Sequence, residues 1–379
     1  MAPTKKILII CGEPSGDLHA SNLVKDIMSL DSSIRFFGMG GSLCKKAGVE
    51  IVFDPSGLAL IGLVEVLKNI FTVGRAYHAI LKKTDAEKPD LAILVDYPGF
   101  NLRLAAELKK RSIPVAYYIS PQVWAWGRDR VNIIKRCVKR ILVFFKFEEE
   151  LYRTYGIDAQ FVGHPLIDMV KMSVQKEAFL KKHGLSRDKP VLALLPGSRR
   201  NEVRTLLPVM AAAAAIMKKS GNDIQFAVSK HPDLDIELYR KTLQASGVDA
   251  KLIEGDTYDL VGSSDLALVA SGTATLETAI IGTPLVITYK VSLGTFIAYK
   301  LVTRTQFLGI VNIIAGKEIA PEFLQYEASP DKIAAKLSEL IRDKSKLNAM
   351  RDELALVKLS LGPPGASLHA AHAILSLLS

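Results

Sequence analysis

Asp265-Leu266-Ala267-Leu268-Val269-Ala270-Ser271-Gly272-Thr273-Ala274-Thr275-Leu276-Glu277-Thr278 reads as a short apolar strand, a tight turn and the start of a helix. A strand that ends in Ser271-Gly272-Thr273 and turns straight into a helix leaves free backbone N–H groups pointing at one spot. The helix dipole adds partial positive charge there, so the spot suits a phosphate. Glu277 follows about one turn on, and the residue three before it is Ala274, so it forms no capping box. A carboxylate without that job is free to accept hydrogen bonds from sugar hydroxyls. A phosphate cradle beside such a carboxylate is what a nucleotide-sugar site needs. An ordinary helix start with a solvated glutamate fits the same residues equally well.

The strand–turn–helix pattern repeats outward in both directions. Apolar runs at 6–11, 34–38, 91–96, 115–119 and 140–145 predict strands in the first half, and runs at 190–195, 224–228, 252–253, 265–270 and 284–289 predict them in the second. Most are continuously apolar, as strands buried on both faces of a parallel sheet should be. The expected fold is therefore α/β, with two Rossmann-like doubly wound domains facing a cleft. The lysine-rich stretch 170–189 marks the boundary, giving domains 1–175 and 176–365, with a closing helix at 366–379 after Gly362-Pro363-Pro364-Gly365 that is expected to join the first domain. The stretch 331–350 predicts one polar helix, and Asp233-Leu234-Asp235 is a polar loop rather than a metal–phosphate motif.

With 379 residues, 49% hydrophobic and 23% charged, the chain is long enough for two cores. The net charge of +10 favours an anionic partner such as phosphate, nucleic acid or a membrane surface. Basic residues are densest from Arg128 to Arg140, where Val131, Ile134, Val138 and Ile141 predict an amphipathic helix whose basic face is solvated. No run reaches the roughly 18 apolar residues of a spanning helix, and residues 1–6 carry no signal-peptide pattern. Cys11, Cys44 and Cys137 show no framework or ligand spacing, so a reducing cytoplasm is expected. The seven histidines lack ligand spacing apart from a weak His369/His372 pair, and no metal is expected.

In open parallel sheets ligands bind at the carboxyl ends of strands, and the remaining motifs gather there. The first strand ends in Gly12-Glu13-Pro14-Ser15-Gly16-Asp17, which is not the GxGxxG of a dinucleotide site. The strand at 91–95 ends in Asp96-Tyr97-Pro98-Gly99-Phe100-Asn101. Asp96 is placed to take a proton from a bound hydroxyl, and Asn101 is expected to cap the next helix. Ser120-Pro121 leads to Trp124-Ala125-Trp126, rings that either stack on a sugar or pack in a core. Pro196-Gly197-Ser198-Arg199 offers a guanidinium to phosphate oxygens. Leu58 to Phe71 carries only Glu65 and Lys68 as charges, which suits a buried core helix or a segment lying on a membrane or on acyl chains. Asn312, alone in the apolar run 309–316, invites a ligand role.

Together these motifs resemble the lipid-A-disaccharide synthase family, glycosyltransferases of Gram-negative bacteria. The resemblance rests on Gly12–Asp17, Ser120-Pro121 with Trp124-Ala125-Trp126, Gly163-His164-Pro165, Leu194-Leu195-Pro196-Gly197-Ser198-Arg199, Ser271–Ala274 with Leu276-Glu277, and Asn312 with Ala315-Gly316, in order over nearly the whole chain. It implies a GT-B fold whose second domain holds the nucleotide through Arg199, Ser271, Gly272, Thr273, Glu277 and Asn312. It implies transfer of a sugar from UDP-2,3-diacylglucosamine to 2,3-diacylglucosamine 1-phosphate with inversion, without metal or cofactor. Acceptor and lipid contacts are then expected in the first domain, at Ser15, Gly16, Ile61, Val64 and Leu67. The implied partners are the two lipid substrates and an anionic membrane surface on the cytoplasmic face of the inner membrane, with no nucleic acid. The family pattern Asp-x-Pro-Asp-Phe-Asn, whose second aspartate is the favoured base, is broken here by Gly99. The base is then Asp96, or Glu13 or Asp17 on the neighbouring loop, or none is essential.

Rival enzymes would look different. A UDP-sugar 2-epimerase works on a water-soluble sugar and has no use for the apolar stretch 58–71. An NAD-dependent oxidoreductase needs an acid after the second strand, where this chain has Gly38-Met39-Gly40-Gly41. A nucleic-acid-binding surface would interleave aromatics with its cations, and the basic stretch 128–140 has none.

Overall fold

The computed structural model describes residues 4–56, 70–125, 127, 129–291 and 305–378. Most of the apolar stretch 58–71, including Ile61, Val64 and Leu67, lies outside the described residues, as do Trp126, Arg128 and 292–304. Phe71 lies within them, 85% exposed. No helix among the described residues is long and apolar enough to cross a membrane.

The chain divides into two compact units, Met1–Pro165 with Leu361–Ser379, and Leu166–Ser360. The first holds a seven-stranded sheet of β1 (Lys6–Cys11), β2 (Arg35–Met39), β3 (Glu50–Phe53), β4 (Leu91–Val95), β5 (Val115–Tyr118), β6 (Arg140–Val143) and β7 (Ala159–Phe161), in the order β3-β2-β1-β4-β5-β6-β7. The second holds β8 (Val191–Leu195), β9 (Gln225–Lys230), β10 (Ala250–Glu254), β11 (Leu266–Ala270), β12 (Leu285–Tyr289) and β13 (Glu322–Leu324), in the order β10-β9-β8-β11-β12-β13. Every pairing in both sheets is parallel. The order reverses between β1 and β4 in the first sheet and between β8 and β11 in the second. Those are the points where doubly wound sheets open a crevice for ligand.

The continuous apolar runs predicted this burial. In the first unit Leu8, Ile10, Ala92 and Leu94 feed one core, and Ile7, Ile9, Ile93 and Val95 feed the core on the other face. The second core includes Ala370, Ala371, Ala373 and Ile374 of the last helix, Ala366–Leu375, packed with Leu23, Val24 and Ile27 of helix Pro14–Leu30.

Several local expectations are corrected. The edge strands β3, β7 and β13 are too short and too exposed to stand out in the sequence. The basic helix runs only from Arg130 to Cys137, because the chain must extend into β6 by Arg140. The polar helix at 331–350 is two helices, Pro330–Arg342 and Lys344–Ser360, broken at Asp343. The carboxylate of Asp343 accepts from the amides of Ser345 and Lys346. Asn101 caps nothing. It lies inside helix Pro98–Lys110, and its Nδ2 donates back to the carbonyls of Val95 (3.1 Å) and Asp96 (2.8 Å).

The loop after β5 hangs on one buried carboxylate. Glu148, in the first turn of helix Lys146–Thr154, accepts from Ser120 Oγ and Trp124 Nε1, both at 3.1 Å, through one oxygen. Its other oxygen accepts from the Phe145 amide at 3.3 Å. Burial outweighs these donors and pushes the carboxyl up from 4.5 to about 7. A raised carboxyl stabilises the fold fully below its ordinary value, and that contribution is lost as pH rises through about 7. His164 works in the opposite sense: burial and His19 hold it down to about 4, so its contribution is lost as pH falls below 6.5. The difference between wild type and Glu148→Gln isolates the carboxyl. The variant should gain stability relative to wild type between pH 5 and 8, by on the order of 3 kcal/mol. Denaturant unfolding followed by tryptophan fluorescence measures it, and parallel pH profiles would refute a buried ionisation here.

Candidate active site

In the second unit the carboxyl ends of β8 to β12 surround a cavity of about 550 Å³. Its floor is the start of helix Thr273–Ile281, which no side chain caps. The Ser271 amide is bonded to the Thr288 carbonyl of β12 (3.0 Å), so the donors that remain are those of Gly272, Thr273 and Ala274. Nothing lies within 4 Å of where a Cβ on Gly272 would sit, which leaves a ligand room to approach the backbone. Glu277, on the same helix, accepts from Tyr258 Oη at 3.1 Å, and burial raises its carboxyl above the ordinary range.

The opposite wall is Pro196 to Arg199. Gly197 has φ +108°, and a Cβ there would fall 2.5 Å from Glu202 Oε2, so the turn requires glycine. Glu202 accepts from the amides of Ser198 and Arg199, both at 3.3 Å. The Arg199 guanidinium is 70% exposed and pairs with Glu202 at 3.4 Å, a contact weak enough to exchange for a phosphate. His231, Tyr258 and Tyr289 also line the cavity. The sequence offered no motif for them, only their positions just after β9 and β10 and at the end of β12.

Asn312 does not line this cavity. It is fully buried, with Nδ2 donating to Ala320 O (2.7 Å) and Glu322 Oε1 (2.8 Å) and Oδ1 accepting from the amides of Ile319 and Ala320, both at 2.9 Å. With both donors and both acceptor sites used, its amide ties helix Ile310–Ala315 to β13 and has nothing left for a ligand.

In the first unit the loops after β1 and β4 meet. A Cβ on Gly12 would lie 2.5 to 2.8 Å from the Tyr97 ring, so only glycine lets the two loops touch. Asp96 and Tyr97 both sit at φ +47°, a left-handed conformation that costs a non-glycine residue about 1–3 kcal/mol. The strain is held in place by bonds to the Asp96 carbonyl from Tyr117 Oη (2.6 Å) and Asn101 Nδ2 (2.8 Å). Burial first, and the charge of Glu13 second, raise the Asp96 carboxyl to about 6. Glu13 is half-buried at the N-cap of helix Pro14–Leu30, with Ser15 exposed and Gly16 buried behind it.

Asp17 is turned the other way. Its carboxylate accepts from the amides of Gly41 (2.8 Å), Leu43 (3.0 Å) and Cys44 (3.1 Å), holding the start of helix Ser42–Lys46. Its oxygens lie within 4.8 Å of Cys11 Sγ and Cys44 Sγ, but those three amides already occupy them. Of the three candidate bases, Asp17 is the one its surroundings commit to structure. Gly99 is exposed near the start of helix Pro98–Lys110, with open space where a side chain would go.

A sequence model of the Lipid-A-disaccharide synthetase family matches residues 7–371. The lipid-A-disaccharide synthase of Syntrophus aciditrophicus is 43% identical, with 99% of this chain and 98% of that one covered. That of Myxococcus xanthus is 41% identical, with 100% and 99% covered. Among solved structures, a calicheamicin glycosyltransferase matches with a TM-score of 0.63 at 16% identity, covering 99% of this chain and 98% of its own. MurG of Acinetobacter baumannii matches with a TM-score of 0.61 at 12% identity, covering 99% and 100%. A UDP-GlcNAc 2-epimerase from Neisseria meningitidis, bound to UDP-GlcNAc, gives 0.61 at 14%, covering 98% and 100%. These likenesses establish a GT-B fold, and the sequence matches establish the kinship: the chain belongs to the lipid-A-disaccharide synthase family of glycosyltransferases that serve lipid A biosynthesis.

Proposed function

We propose that the chain transfers a diacylglucosamine from UDP to 2,3-diacylglucosamine 1-phosphate with inversion, forming a β-1,6-linked disaccharide and UDP at the cytoplasmic face of the inner membrane. The observation that carries this is the uncapped helix start beside Glu277 in the second unit's cavity. There the amides of Gly272, Thr273 and Ala274 and the Arg199 guanidinium hold the diphosphate and stabilise it as it leaves. Glu277 takes the ribose hydroxyls. Glu277→Ala should weaken UDP binding by roughly 1–3 kcal/mol, the penalty for unpaired buried partners. Unchanged affinity by calorimetry in the folded variant would remove Glu277 from the site.

In this scheme the first unit supplies the base. A carboxyl near 6 is ionised at neutral pH yet basic enough to accept the acceptor's hydroxyl proton, which favours Asp96. Asp96→Asn should lower kcat by about 10²–10⁴-fold with UDP affinity nearly intact. Glu13→Gln removes a like charge, so the acid limb of the rate profile should move to lower pH. If Asp96→Asn keeps its activity and Glu13→Gln loses it, Glu13 is the base. Gly99→Asp, which restores the family's second aspartate where space is open, should recover part of the activity of Asp96→Asn.

The net charge of +10 and the apolar stretch 58–71, with Phe71 exposed, favour attachment to an anionic membrane at about 1 kcal/mol per well-placed cation. Replacing Ile61, Val64 and Leu67 by Ser should move the folded protein from the pellet to the supernatant when it is centrifuged with anionic vesicles. Full co-sedimentation of that variant would place the lipid contact elsewhere.

A further inference from the structure

An unbroken run of ring contacts follows the carboxyl edge of the first unit's sheet. Trp124 meets Phe147 edge-on (5.5 Å), Phe147 stacks on Phe145 (5.4 Å, 12°), and Phe145 meets His164 (5.1 Å). His164 then meets Phe144 (5.3 Å), and Phe144 meets His19 (5.6 Å). The rings come from the segments after β5, β6 and β7 and from helix Pro14–Leu30, so no single element accounts for their alignment.

Burial separates the outer rings of this run from the core that Phe144 joins. Phe144 and the neighbouring Tyr118 are buried, as core aromatics are. Trp124, Phe145, Phe147 and His164 are only half-buried. A row of large rings left part-open to water offers aromatic edges and faces to a ligand. The Trp124 N–H is already donated to Glu148, so what the indole still offers is its faces. His164 is held neutral at pH 7 by burial and by His19, so the run presents flat, uncharged surface. The C–H face of a pyranose ring is the small-molecule surface that complements it. Trp124 lies on the loop after β5, the strand beside β4, and the Tyr118 carbonyl at the end of β5 accepts from the Asp96 amide at 2.9 Å, so the Trp124 end of the run shares its stretch of sheet edge with the candidate base.

We propose that the acceptor's glucosamine ring stacks on this run, with Trp124 as its outer platform. The inference rests on the glycosyltransferase reading above and adds the residues that recognise the acceptor sugar.

Both tryptophans of the chain lie at 124 and 126, so Trp126→Phe leaves Trp124 as the sole indole reporter. Titrating this protein with 2,3-diacylglucosamine 1-phosphate should shift or quench its emission. Glucosamine 1-phosphate without acyl chains should do the same at higher concentration, and neither UDP nor an acyl detergent without sugar should. Trp124→Ala should raise the acceptor KM about 5- to 10-fold with the donor KM unchanged, and Trp124→Phe should recover most of the loss. Cooperative denaturant unfolding with an unchanged midpoint serves as the folding control for the first unit, and UDP binding by calorimetry as that for the second. If UDP binds and turnover proceeds while the Trp124 emission ignores the acceptor, the platform is wrong and the glycosyltransferase reading stands. Emission that answers to the acyl detergent but not to glucosamine 1-phosphate would make the run an acyl-chain surface and overturn the proposal. Absence of both UDP binding and transfer would overturn the reading and the platform together.

Discussion

Parallel pairing is the constraint on which the rest of the molecule depends. Among the described residues both sheets contain only parallel neighbours, so every strand must be followed by a crossover and every strand ends on the same edge of its sheet. The crossovers bury both faces, which demands continuously apolar strands and leaves the strand ends as the natural places for polar and glycine-rich turns. The Gly12–Asp17, Asp96-Tyr97, Gly197–Arg199 and Ser271–Thr273 turns stand at the two points where strand order reverses. The candidate site residues gather there because the topology brings backbone N–H groups and side chains together at the carboxyl ends of the strands.

Much of this was legible in the residues, for a reason that also marks its limit. A buried parallel strand is a solid apolar block, so the end of the block locates the site loop to within a residue or two. The ends of β1, β4, β8 and β11 were found this way, and the motifs read at them carried the family resemblance. Strands at the sheet edges lack that signature. Glu50–Phe53 is only part-buried, and Ala159–Phe161 and Glu322–Leu324 are three residues each. The pocket residues Tyr258 and His231 were equally silent, because a tyrosine or histidine after a strand acquires meaning only from what faces it.

Polar residues in apolar surroundings were the most misleading signal. Asn312, Asp17 and Asn101 each stood out, and each satisfies its neighbours' backbone groups. Asp96, Glu13 and Glu277 look no different in sequence. Their carboxylates are less completely engaged by the protein, and burial lifts two of them, Asp96 and Glu277, above the ordinary range. Which backbone groups each side chain binds separates Asn312 and Asp17 from the others where residue type cannot. The same accounting explains how Asp96 and Tyr97 hold a left-handed backbone: Tyr117 and Asn101 bind the carbonyl that the strained turn presents.

The last helix, Ala366–Leu375, completes the core around Leu23, Val24 and Ile27, although the whole of Leu166–Ser360 lies between them in the chain. During synthesis the first unit therefore emerges without its closing element. At about 5–20 residues per second it waits roughly 10–40 s before the missing helix leaves the ribosome. Through that interval the apolar face of Pro14–Leu30 lacks its native cover, while the second unit is already whole and free to fold. The first unit is thus completed only after the second has been synthesised.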